Sequence, residues 1–129
     1  GPTEPWGFGD QALSIARNFI RLRYQLLPYI YSLAFEHSVG GVPPVRPLFF
    51  VDPSDVALAN ESRAWFLGSD LIVAPVVQDG ARAVTFRLPP GSWVDWWTGN
   101  LVEGGREVVA AESAHSVGGE GHEDVSAKE

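Results

Sequence analysis

The feature that most constrains this chain is a change of hydrophobic period, from helical spacing before about Gly68 to alternation after it. Before the change, Asp10, Ser14, Arg17, Arg21, Gln25, Ser32 and Glu36 fall on one helical face. Opposite them lie Leu13, Ala16, Ile20, Tyr24, Leu27, Tyr31 and Phe35, the pattern of an amphipathic helix. Phe19, Leu22, Leu26, Ile30 and Leu33 widen the apolar sector, so this helix needs packing partners on more than one side. Asp10 is placed to cap its start. Pro28 should kink or divide it, because proline withdraws an N–H from the ladder and crowds the preceding turn. Gly40-Gly41 ends it.

Val45 to Phe50 reads as a short buried strand in which Pro47 must sit where no ladder bond is needed. Asp52-Pro53-Ser54-Asp55 closes it as a turn. A second, short helix is expected over Glu61 to Leu67, ending at Gly68. Leu71 to Val77, Arg82 to Leu88, Ser92 to Thr98 and Glu107 to Ala111 then have strand length and strand composition. Gln78-Asp79-Gly80, Pro89-Pro90-Gly91 and Gly99-Asn100 separate them as turns, which predicts an antiparallel meander. The order is therefore α/β then all-β, with a break near Gly68 to Leu71. From Glu112 onward no apolar period remains, and residues 112–129 are expected to form a disordered acidic tail.

Charge and composition exclude several classes. The net charge is -7, and a protein that binds nucleic-acid phosphates needs a basic face; no nucleic-acid partner is expected. Cys 0 removes disulfides, thiolate chemistry and cysteine-based zinc sites. No apolar run approaches the roughly 20 residues of a membrane-spanning helix, and the residues set no compartment. A chain that starts at Gly1 with Met 0 is expected to be a processed or excised piece of something longer.

Four blocks, RLRYQLLPYIYSLAFEH (Arg21 to His37), VRPLFF (Val45 to Phe50), GSDLIVAPVV (Gly68 to Val77) and LPPGSWVDWWTG (Leu88 to Gly99), resemble glycoside hydrolase family 31, which includes α-glucosidases and α-xylosidases. Their order and spacing match the family from about Glu4 to Val109. The resemblance implies the last helix–strand–helix of a (β/α)8 barrel over residues 1–69. Part of an antiparallel proximal β-sandwich domain would follow over 70–111. It makes Asp10 to His37 the penultimate barrel helix and Val45 to Phe50 the last barrel strand, with Glu61 to Leu67 the final helix. Family members are retaining glycosidases that work with two carboxyl groups, roughly 5 Å apart, and no cofactor. The resemblance places those carboxyls, and the arginine and histidine that hold the sugar, upstream of Glu4. It carries no catalytic residue onto this chain and assigns no substrate-binding residue. Beyond Ala110 the sequence departs from the family pattern.

Local candidates each have a plainer reading. Asp52 and Asp55 stand where barrel active sites form, but Asp-Pro-Ser-Asp is ordinary turn chemistry. Trp93, Trp96 and Trp97 could stack on sugars; alternation puts Trp93 and Trp97 on one face, where core packing is the better reading. His115 and His122 with Glu120, Glu123 and Asp124 have metal-binding residue types but no scaffold. Arg21, Arg23 and Arg46 are expected in surface salt bridges, and Gly118 to Gly121 lacks the strand and helix of a phosphate loop. The expected function is that of an inactive part of an enzyme for α-linked glucosides or xylosides, which meets substrate only within the whole enzyme. The alternative is a non-catalytic carbohydrate-binding or interaction module built on exposed tryptophans. Apolar surface left on the helix predicts self-association.

Overall fold

The computed structural model describes residues 3–78 and 80–111, and the backbone of 122–128. A 3-10 turn (Pro5–Phe8) leads into α1 (Asp10–Gln25) and α2 (Leu27–Gly40), which meet at Leu26. Pro28 therefore divides the helix. It sits in the first turn of α2, where a missing N–H is harmless. Leu26 N–H donates to Leu22 O and Ile30 N–H donates to Leu26 O, both at 2.9 Å, so the ladder carries across the division. Asp10 does not cap α1: Gly9 occupies the cap position, no side chain accepts there, and Asp10 is the first helical residue. Gly41, at φ 72°, ends α2 and returns its N–H to His37 O.

β1 is shorter than expected, Val45–Pro47, and Leu48–Phe50 winds into a 3-10 turn that drops Leu48 into the core. The short helix also lies elsewhere. α3 is Val56–Ala59, started by the Asp55 carboxylate, which accepts from Ala57 N–H and Leu58 N–H at 2.8 and 3.3 Å. Residues 61–64 are irregular and Trp65–Leu67 is a strand, β2. β2 forms a hairpin with β3 (Leu71–Val76), with Trp65 opposite Val73, and pairs on its other edge with β1. Residues 68–70 form the turn of that hairpin.

The remaining strands are β4 (Ala83–Leu88), β5 (Ser92–Asp95), β6 (Leu101–Glu103), β7 (Arg106–Ala111) and β8 (His122–Lys128). They are not a meander. One sheet runs β1-β2-β3-β8-β5-β6, and β4 pairs only with β7 in a second. β8, in the stretch expected to be a tail, lies antiparallel to both β3 and β5, with Val125 opposite Val73 and Lys128 opposite Trp93. The reason is backbone satisfaction. Leu71, Ile72, Val73, Ala74 and Val76 are buried, and a buried strand needs a partner on each edge whatever that partner's composition. Residues 112–121 fall outside the described part.

The core lies between the two sheets, built from Leu48, Leu58, Ala64, Phe66, Ile72, Ala74, Phe86, Leu88 and Trp93. A smaller cluster joins Leu71 and Val73 to Leu26, Tyr29, Trp65 and Leu67, and so seats the helical pair on the sheet. The helices otherwise bury little: α1 has no buried residue and α2 has only Leu33. Ile20, Tyr24, Leu27, Tyr31 and Phe35, the apolar stripe of the sequence pattern, are exposed, Tyr31 by 75%. No helix is long and apolar enough to cross a membrane among the described residues.

Candidate functional site

The residues after β1 resolve first. Asp52 Oδ1 accepts from the Ser54 hydroxyl at 2.6 Å and from Ser54 N–H at 3.0 Å, and these bonds, the hydroxyl's foremost, hold its carboxyl below the usual value. Asp55 is the cap of α3, with Arg87 Nη2 4.0 Å from its other oxygen. The pair is turn and cap chemistry. Arg46 donates through Nε to Pro43 O at 2.7 Å and lies 5.7 Å from the Phe50 ring centre, a backbone and cation–π arrangement in place of the expected salt bridge. Arg21 and Arg23 are exposed on α1.

The carboxylate most engaged by the fold is Glu61, which is 7% exposed. Its Oε1 accepts from Arg63 N–H and Nε, and its Oε2 from Arg63 Nη2 and from Arg87 N–H on β4, all between 2.7 and 2.9 Å. Burial pushes this carboxyl up, but the Arg63 guanidinium and the two backbone N–H groups together outweigh it and leave the group below its ordinary value. Every partner is structural, so Glu61 fastens the 61–64 segment to the second sheet. This also explains why the expected helix over Glu61 to Leu67 does not form. The carboxylate's ligand from β4 lies 26 residues away.

The tryptophans separate. Trp93 is buried at 2% exposure, with its indole N–H donating to Pro89 O at 2.9 Å and its ring 6.0 Å from Phe66. Trp97 does not share its face, because β5 stops at Asp95 and residues 96–98 form a turn. Asp95 Oδ1 pins that turn by accepting from Trp97 N–H and Thr98 N–H at 2.8 and 3.0 Å, and Gly99 N–H returns to Asp95 O. The turn presents Trp96, 38% exposed, and half-buried Trp97 toward α1, where Phe19 meets Trp97 edge-on at 6.2 Å. Between them lies a cleft of about 270 Å³ lined by Asn18, Phe19, Arg21, Gln25, Trp96 and Trp97, together with Leu22. Sequence reasoning singled out the tryptophans and Arg21, placed Gln25 only on the polar helical face and did not name Asn18. The spacing of Asn18 and Gln25 with Arg21 along one side of α1 was the available signal.

Among the described residues no group of three His, Asp or Glu could hold a metal ion. His115, Glu120 and Gly118 to Gly121, and the side chains of His122, Glu123 and Asp124, lie outside the described part.

Comparison with known proteins decides the family. Residues 41–120 match the glycosyl hydrolase family 31 C-terminal domain, and residues 1–33 match the family's TIM-barrel domain. This chain belongs to glycosyl hydrolase family 31. It joins part of the family's barrel to its C-terminal domain. It is 40% identical over 103 residues to Alpha-glucosidase 2 of Bacillus thermoamyloliquefaciens, covering 80% of this chain and 13% of that protein. It is 39% identical over 84 residues to Alpha-xylosidase 1 of Arabidopsis thaliana, covering 65% of this chain and 9% of that protein. A GH31 dextranase of Flavobacterium johnsoniae superposes with a TM-score of 0.88 at 31% identity, over 98% of this chain and 15% of the dextranase. A GH31 α-xylosidase from a soil metagenome does so with 0.86 at 28% identity, over 100% of this chain and 18% of the xylosidase. The chain thus spans less than a fifth of each relative.

Proposed function

We propose that this chain is the barrel end and adjoining β-domain of a retaining α-glycosidase for α-linked glucosides or xylosides, and that it turns over no substrate by itself. In this reading α1 and α2 are the penultimate barrel helix and β1 the last barrel strand, with the reacting carboxyl groups supplied by other barrel strands. The observation that supports it most is the solvent-facing stripe Ile20, Tyr24, Leu27, Tyr31 and Phe35. A barrel helix buries such a face against the strands and helices beside it, and the short share of each relative spanned by this chain agrees. The turn and cap bonds of Asp52 and Asp55 support a structural role for both.

Two measurements test the reading. The purified chain should not hydrolyse 4-nitrophenyl α-glucoside or α-xyloside; turnover that disappears in Asp52→Asn or Asp55→Asn would sink the proposal. Conversely, a chimera in which this chain replaces the matching segment of Alpha-glucosidase 2 should fold and keep α-glucosidase activity.

A further inference from the structure

We propose that the cleft between α1 and the Trp96–Thr98 turn binds one pyranose ring of a neutral oligosaccharide. The argument begins with shape and wall chemistry. At about 270 Å³ the cleft lies just under the range of small-molecule sites, roughly 300–1,000 Å³. The Trp96–Thr98 turn contributes the indoles of Trp96 and Trp97, and α1 contributes Phe19 and Leu22 together with the polar Asn18, Arg21 and Gln25 on successive turns. The hydrogens on a pyranose face are apolar and pack on an aromatic plane, whereas its rim carries vicinal hydroxyls. Side-chain amides both donate and accept and so match a hydroxyl rim, and a guanidinium adds donors. Among the described residues Arg21 is the only charged one in the lining; the rest is aromatic, aliphatic or amide, which suits a neutral hydroxyl-rich ring.

Preorganisation is the second observation. Trp96 and Trp97 do not hang on a free loop, because Asp95 holds the turn through the N–H groups of Trp97 and Thr98, and Thr98 Oγ1 accepts from Asn100 N–H at 3.2 Å. Phe19 fixes Trp97 from the other side. Rings held in place before binding lose little freedom when a ligand arrives. The side chains of Asn18 and Gln25 are exposed toward solvent at the rim, available to a ligand.

Calorimetric titration of the full chain with maltotriose and with isomaltotriose tests the site. Saturable binding is expected to at least one of them, with no binding of a linear polyol such as sorbitol. Trp96→Ala should abolish it, and the Asn18→Ala/Gln25→Ala double variant should weaken it by about tenfold or more. All three residues are exposed, so thermal melting should stay that of the parent; should Trp96→Ala fail to fold, the α1 double variant carries the test alone. Absence of saturable binding to both sugars overturns the proposal. So does unchanged affinity in the double variant, or equal binding of sorbitol.

Discussion

The Tyr29 hydroxyl on α2 donates to Leu67 O at 2.9 Å and accepts from Asp70 N–H at 3.4 Å, so one phenol holds both ends of the turn that joins β2 to β3. Burial is the main reason its ionisation is pushed above 10.0, since the charged form would be poorly solvated there. Tyr29→Phe keeps the ring and loses both bonds. It should cost about 1 kcal/mol, read as a lower urea midpoint with an unchanged slope. Because the folded state holds the proton more tightly than the unfolded chain, the Tyr29 contribution is complete below pH 10.0. It is lost as pH rises through the folded value. Tyr29→Phe should therefore flatten the alkaline loss of stability.

Gly68 lies directly under the same hydroxyl. A Cβ there would collide with Tyr29 Oη and stand 2.7 Å from Leu33 Cδ2, and φ is +72°. Gly68→Ala should destabilise by more than the roughly 1 kcal/mol of the backbone conformation alone. Combining it with Tyr29→Phe should relieve part of the excess, measurable as a non-additive double-mutant cycle.

Glu61 makes acid the weak side of the fold. Its carboxyl is held below the ordinary 4.5 despite burial, so its contribution is present above that value and lost as pH falls through the folded one. Glu61→Ala leaves the Arg87 N–H without its acceptor and the half-exposed Arg63 guanidinium with Glu107 alone, 3.7 Å away, at a cost of about 1–3 kcal/mol. Glu61→Gln should cost less and should remove much of the acid dependence, as seen in urea midpoints between neutral and acid pH.

The exposed stripe should respond in the opposite way. Tyr24→Gln, Tyr31→Gln and Phe35→Gln replace side chains that are 64 to 75% exposed, and each should alter stability by no more than about 0.5 kcal/mol. We expect the parent chain to self-associate through this face and the triple variant to sediment as a smaller species. Equal sedimentation of the two would place any association elsewhere.

What could be read from residue types alone depended on how local the cause was. Pro28 divides the helix by chemistry within its own turn, and Asp52 to Asp55 follow turn preferences, so both were legible. Glu61 to Leu67 resembled a helix because Glu61, Arg63 and Ala64 favour one, yet Glu61 is bound by β4 and Trp65 by β3. A hairpin signal was nevertheless present, two apolar runs around Gly68-Ser69-Asp70. The pairing of β4 with β7 skips two strands, and β8 is recruited by the free edge of β3; neither cause lies inside the segment concerned. The cleft was half legible for the same reason: its tryptophans stand out, but its polar residues belong to a helix some 70 residues earlier.

The ladder from β1 through β2 to β3 bears on how such a chain can be inherited. A genetic crossover at residues 69–70 would look clean on paper, between a helical half and a stranded half. It would in fact split the β2–β3 hairpin and leave a sheet edge on each half. A cut before β1, in the 33–41 interval between the two matched family models, keeps that ladder whole. The strands Val45–Pro47 and Trp65–Leu67 then travel with the β-domain as its cargo.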